Sequence, residues 1–328
     1  MTAPADGQAF DVSFVVPLFD KAPFIARALL SALAQSHSAR DIVVVDDGSS
    51  DDGPAIVAEM AATTPLIRLV RQANAGPSAA RNRGIAEARG AWVALLDADD
   101  VVLPGHLARA AAMAGRHPSA DILAAAYREV PDGAQAEAAR ALDDAAEPST
   151  DGAGSRMVDD FFDRWSGGTF FFTSSVIIRR SALLALGEVF PVGERLGEDH
   201  DVWFRLAEQG DIAWTPAIGA LYTVGLADSL TGGGGTGRQL DPLPSYVRLR
   251  QRLDASGFPD AHRSGARRLI ATHWLNVARA RVLAGDIDGA RHLLSDPITR
   301  VRPLYRARSA LLIAVNQAAG RPVRLGRI

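Results

Sequence analysis

Hydrophobic and polar positions alternate in blocks over the first 130 residues. Short apolar runs at Val12–Val16, Ile42–Val45, Leu66–Val70 and Trp92–Leu96 are separated by helical stretches at about 21–36, 51–63 and 78–89. Apolar runs of that length predict buried strands, and the stretches between them predict crossover helices. The expected fold is α/β, a mostly parallel sheet covered by helices on both faces. Such sheets bind ligands at the carboxyl ends of their strands. Polar clusters fall there: Asp46-Asp47 after the second run and Asp97-Ala98-Asp99-Asp100 after the fourth.

Beyond residue 130 the pattern loosens. Residues 131–155, rich in Ala, Asp and Gly, predict an exposed loop or a frayed helix. Phe161–Phe172 is unusually aromatic and serves either as core or as a stacking face for sugars or lipids. A strand is expected at Ser175–Ile178 and a helix at about Asp199–Gln209. Four consecutive glycines in residues 225–240 predict a hinge, a linker or a mobile loop. From Pro242 onward only helical spacing is seen: a hairpin turning at Gly285-Asp286, then a last helix at about Leu304–Ala318. The expected division is a domain over 1–240 and a basic helical region over 241–328.

Composition narrows the class. The chain has 328 residues, 48% hydrophobic and 22% charged, which excludes a disordered chain or a coiled-coil rod. It contains no cysteine, so disulfide scaffolds, thiolate metal sites and Cys nucleophiles are excluded. The first residues lack a basic n-region, and no apolar stretch approaches the roughly 18 residues of a spanning helix, so a soluble or peripheral protein is expected. The net charge of −3 hides a split: residues 1–240 carry 19 Lys and Arg against 32 Asp and Glu, whereas residues 241–328 carry 16 Arg against 6 Asp. The basic segment suits an anionic membrane surface or the acidic part of the same chain. Nucleic-acid binding is not expected, because the arginines match no known binding motif.

The chemistry-bearing residues are mostly acidic. Asp97 and Asp99, one residue apart after a buried strand, offer oxygen-only ligands that suit Mg2+ or Mn2+, with open positions for a diphosphate. As an isolated pattern they equally describe an acidic turn, with Asp100 capping the next helix. Asp46 and Asp47, followed by Gly48, suit a base or ribose hydroxyl, or a plain turn. Arg81, on the helix opened by Asn74-Ala75-Gly76-Pro77-Ser78, suits a phosphate. Glu198-Asp199 opens a helix, either complementing its dipole or supplying a base. His200 has no second histidine at ligand spacing, so no zinc site is expected.

Four segments in order, FVVPLFDKAPFIARALLSALAQ, IVVVDDGSSDD, NAGPSAARNRGIAEARGAWVALLDADD and GEDHDVWFRL, resemble family 2 glycosyltransferases over about residues 10–230. The resemblance implies a GT-A-like nucleotide-sugar-binding sheet flanked by helices and an inverting, metal-dependent transfer. The donor would be a nucleotide-diphosphate sugar, most readily a UDP-sugar, and the acceptor a glycan or a lipid-linked molecule. It further implies that Pro17, Asp46, Asp47 and Arg81 line the nucleotide pocket and that Asp97 contacts the donor. Asp99 would hold Mn2+ or Mg2+, and Asp199 would be the catalytic base. The setting implied is cytoplasmic, extending to the inner face of the cytoplasmic membrane, in bacterial cell-surface polysaccharide synthesis. Ala220–Gly225 lacks the Arg and His that many members carry there, Ser229-Leu230-Thr231 looks familiar, and Arg238 offers a substitute. No Gln-x-x-Arg-Trp motif is present, which points to single-sugar transfer. A sugar-1-phosphate nucleotidyltransferase is disfavoured because Lys21 alone follows the first strand, with no glycine; a catalytically silent binding protein is the other alternative.

Overall fold

The computed structural model describes residues 10–144, 154–194, 196–226 and 240–319. Ser229-Leu230-Thr231, the four glycines and Arg238 lie outside them. The chain forms two compact units, one of Met1–Val158, Phe170–Arg195 and Arg205–Leu226, the other of Asp159–Thr169, Leu196–Phe204 and Ala227–Ile328. No single cut in the sequence separates them, because two short segments before residue 205 group with the helices that follow residue 240.

The first unit opens with β1 (Val12–Leu18), α1 (Ala22–Leu33), β2 (Asp41–Asp46), α2 (Gly53–Thr63), β3 (Ile67–Arg71), α3 (Pro77–Glu87) and β4 (Trp92–Leu95). In chain order there follow β5 (Val101–Val102), α4 (His106–Arg116), β6 (Ala120–Pro131), α5 (Gln135–Asp144), β7 (Arg156–Met157), α6 (Phe161–Ser166), β8 (Val176–Arg179), α7 (Arg180–Ala185), α8 (Glu198–Gln209) and β9 (Asp211–Val224), of which α6 and the first half of α8 group with the second unit. Among the described residues these strands make one sheet in the order β3-β2-β1-β4-β8-β6-β9-β5, with β7 also on β9. The half from β3 to β4 is parallel, as the sequence pattern predicts. The other half is mixed: β8 runs antiparallel to both β4 and β6, and β6 runs parallel to β9.

The alternation of side chains between two covered faces explains why β1, β2 and β4 read as near-continuous apolar runs. Phe14, Val16, Ile42 and Val44 pack with Ile25 and Leu29 of α1 and Leu107 of α4. Val43 and Val45 face the other way, with Ala80 of α3. α3 sits close to the sheet: a Cβ on Gly84 would lie 2.3 Å from Val15 Cγ1. That contact fixes the helix on which Arg81 stands.

The second unit contains α6, the first half of α8, and the helices α9 (Pro244–Asp254), α10 (Asp260–Leu283), α11 (Ile287–Ser295) and α12 (Pro303–Ala319). Phe161, Phe162 and Trp165 are buried, so the aromatic segment is core there. The Phe161 ring lies 5.4 Å from that of Phe162 and 5.1 Å from that of Trp165, and both phenylalanines pack on Phe204.

Candidate active site

The site of the first unit grows from the carboxyl ends of β1, β2 and β4. Pro17, second from the end of β1, stands in register with Val45 of β2. β4 pairs with β1 only as far as Val15, so Pro17 lies past the last β4 pairing partner. Asp46 ends β2, its Oδ1 accepting the Ser49 N–H at 2.9 Å across a turn made by Gly48, whose φ is +77°. Two further carboxylates tie the loops after β1 and β2 together. Asp20, itself at φ +48°, accepts the Ser50 N–H at 2.7 Å, which lowers its pKa, and Asp51 accepts the Ala22 N–H at 2.7 Å.

Asp47 is engaged in holding the loop before α3. Its Oδ1 accepts from Gln72 Nε2 at 2.8 Å and Ala75 N at 2.9 Å, and its Oδ2 accepts from Gly76 N at 2.8 Å. It is buried. Asp47→Ala strands these donors and is expected to cost about 3 kcal/mol in a denaturant titration. Asp47→Asn turns one accepting oxygen into a donor facing an N–H, so it is expected to cost nearly as much. An asparagine variant of wild-type stability would contradict this bonding.

The turn after β4 brings the remaining carboxylates together. Asp97 Oδ1 accepts from Arg81 Nη2 at 2.8 Å, and the Arg81 guanidinium lies 5.4 Å from the ring centre of Phe190. Asp99 Oδ2 is 2.8 Å from Nζ of Lys21, the one lysine of the chain. Asp100 does not cap the following helix, whose N-cap is Gly105. It is 1% exposed and accepts from Ser174 Oγ at 2.6 Å and Thr223 N at 2.9 Å. Burial, followed by the charges of Asp97 and Asp99, raises its pKa well above the carboxylate range.

Partners from distant segments fix this turn. Ser174 Oγ also accepts the Asp97 N–H at 3.0 Å. Thr223 Oγ1 donates to the Asp99 carbonyl and accepts from Gln135 Nε2 at 3.0 Å. Arg27 reaches the same carbonyl at 3.2 Å and Gln135 Oε1 at 3.1 Å. Ser174, Thr223 and Gln135 lie outside the four quoted segments, and nothing in the sequence links them or Arg27 to Asp99.

The donor set fits a hard cation held by one or two carboxylates. Asp97 and Asp99 each present oxygen only, and their charges already bear on Asp100. Among the described residues no group of three or more His, Asp or Glu forms a metal cage. A Mg2+-type ion held there would be completed by water and substrate phosphate.

Asp199 belongs to the second unit, at the head of α8. Three acids open that helix, and they differ in surroundings. Asp201, 3% exposed, accepts from Arg248 Nε at 2.9 Å and from Arg252 Nη1 at 3.5 Å. Glu198 is buried, whereas Asp199 is half-buried, its Oδ1 accepting the His200 N–H at 2.8 Å. The His200 ring lies 5.4 Å from Trp165, 5.8 Å from Tyr246 and 6.0 Å from Phe204. Burial pushes the Tyr246 phenol up, and the nearby Asp199 charge adds to that rise.

His273 stacks on Tyr246 at 3.9 Å and accepts the Leu243 N–H at Nε2, 3.0 Å away. Burial, helped by the proximity of His200, lowers its pKa from 6.5 to about 4. The unfolded chain takes up this proton first as pH falls. Stability is therefore expected to be intact above pH 6.5 and to drain away towards about 4. The full loss is on the order of 3 kcal/mol. His273→Gln should flatten that part of the stability–pH curve, read by urea denaturation at successive pH values.

A family model described as "Glycosyl transferase family 2" matches residues 13–185, more than half of the chain. The chain belongs to glycosyl transferase family 2. The match takes in Pro17, Asp46, Arg81, Asp97 and Asp99. Among curated relatives, the "Succinoglycan biosynthesis protein ExoO" of Rhizobium meliloti is 48% identical over 110 residues, 33% of this chain and 31% of that protein. The chain aligns with about a third or less of the length of the curated relatives it first matches. TarS of S. aureus, solved in complex with UDP-GlcNAc, superposes with a TM-score of 0.65 at 18% identity, covering 97% of this chain and 94% of TarS. The mannosyltransferase PcManGT of Pyrobaculum calidifontis, solved with GDP-Man and Mn2+, gives 0.55 at 18% identity over 94% of this chain and 85% of that one. The fold of this family 2 member is of the GT-A type, a mixed sheet flanked by helices with a helical C-terminal region.

Proposed function

We propose that this family 2 protein transfers a single sugar from a nucleotide-diphosphate sugar to a hydroxyl of a glycan or lipid-linked acceptor, inverting the anomeric carbon. The observation that carries the reading is the pair Asp97 and Asp99 at the end of β4, held by Arg81 and Lys21 in a chain of this family. The nucleotide sugars named for TarS and PcManGT support a donor of that class, with UDP the first choice, and the relation to ExoO supports bacterial surface-polysaccharide synthesis. The setting is the cytoplasm, extending to the inner face of the cytoplasmic membrane.

Pro17 and Asp46 contact the nucleotide, Asp47 shapes the loop beside it, and Arg81 and Asp97 act on the donor. Asp99 holds Mn2+ or Mg2+, which when bound neutralises charge on the diphosphate. Asp199 takes the proton of the acceptor hydroxyl as that oxygen bonds to the anomeric carbon. The bond from that carbon to the diphosphate breaks, and the nucleoside diphosphate leaves with the electron pair. Calorimetric titration of the full chain with UDP, GDP and dTDP, each with and without Mn2+, tests the donor half of this reading. One nucleotide binding tightly only with metal is the expected result; no binding to any by the folded protein would overturn it.

A further inference from the structure

Helix α12 carries apolar side chains on both its buried and its exposed face. Its buried face carries Ser309 and Asn316 beside Leu312 and Ile313. The two polar side chains are satisfied by their own helix, Ser309 Oγ donating to the Tyr305 carbonyl and Asn316 Nδ2 to that of Leu312, both at 2.9 Å. The outer face, at helical spacing, is Leu304, Ala307, Leu311, Ala314 and Ala318, all exposed. Leu304 is 84% and Leu311 56% exposed, and Tyr305 and Val301 are exposed beside them. Large apolar side chains repeated along one face of a helix mark an interaction surface rather than scattered surface residues.

Charge decides what covers it. From Pro297 to Ala319 the sequence holds four arginines and no Asp, Glu or Lys. A second copy of this chain seated on the same face would set arginines against arginines. The partner must be both apolar and anionic. Among the described residues no helix is long and apolar enough to cross a bilayer. An apolar helical face flanked by arginines suits the plane of an anionic interface, with the leucines among the upper acyl carbons and the arginines at headgroup phosphates. We propose that α12 is a membrane-docking helix, laying Leu304, Ala307, Leu311 and Ala314 onto an anionic lipid surface.

The test uses the purified full chain and needs no substrate, so it stands or falls apart from the transferase reading. The chain is floated with vesicles of phosphatidylcholine alone and with vesicles in which about a third of the lipid is phosphatidylglycerol. Binding to the anionic vesicles only is expected. Leu304→Asp combined with Leu311→Asp should lower it at least roughly tenfold, without lowering the melting temperature, since both side chains are exposed. Arg300→Gln and Arg302→Gln should each lower it about fivefold. Failure to bind anionic vesicles would overturn the proposal. So would full binding by the leucine variant, which would assign the attraction to charge alone, or equal binding to neutral vesicles. A concentration-dependent dimer that the leucine variant dissolves, without vesicle binding, would give the face to a second copy.

Discussion

Asp199→Asn is expected to leave nucleotide binding intact and to lower kcat about a thousandfold, within the range attributed to a positioned base. The substitution keeps the size of the side chain and an oxygen able to accept the His200 N–H. What it removes is the capacity to take a proton. Asp201→Asn is the informative contrast, because Asp201 is buried against Arg248 and Arg252. Weakening that pair is expected to cost stability, about 3 kcal/mol, with little effect on kcat in the folded fraction. Steady-state transfer rates with urea denaturation of both variants read the two effects separately. An unchanged rate in Asp199→Asn would remove this residue from the chemistry.

Asp99→Ala is expected to abolish the gain in nucleotide affinity that Mn2+ provides and to lower kcat/KM by about a hundred- to a thousandfold, the scale of a metal's charge stabilisation. Asp100→Ala should instead act through the fold. Asp100 is buried with both oxygens bonded to Ser174 and Thr223, so its loss leaves two buried donors without acceptors. Calorimetry of both variants with and without Mn2+ separates a metal ligand from a support of the turn. A metal-dependent affinity that survives in Asp99→Ala would place the cation elsewhere.

In the parallel half β1, β2 and β4 were legible because they are buried on both faces, which writes them as near-continuous apolar runs, and the half-exposed edge strand β3 was legible from Ile67, Leu69 and Val70. In the other half β8 was expected at Ser175–Ile178 and lies at Val176–Arg179, whereas β6 and β9 were not legible. β6 contains Ala124-Ala125-Ala126, with little strand preference of its own. β9 contains Pro216 and Gly219, residues that normally argue against an interior strand. The pairing absorbs the proline by a register shift: Ala125 opposes Thr215 and Ala126 opposes Ile218, so Pro216 and Ala217 fall outside the ladder. Only the neighbouring strands make such a segment extended.

The same line runs through the candidate site. The local spacing of Asp97, Asp99 and Asp100, and their place after a buried strand, is written in the chain, and so is the family. Their different surroundings are not. Arg81 reaches Asp97, Lys21 reaches Asp99, and Ser174 with Thr223 encloses Asp100, from sequence separations between 16 and 123 residues. At the head of α8 the arginines that hold Asp201 come from 47 and 51 residues away. Local sequence sets backbone preference and residue type, because those depend on near neighbours. Burial, charge partners and proton affinity depend on what the folded chain brings alongside, and those the tertiary structure alone decided.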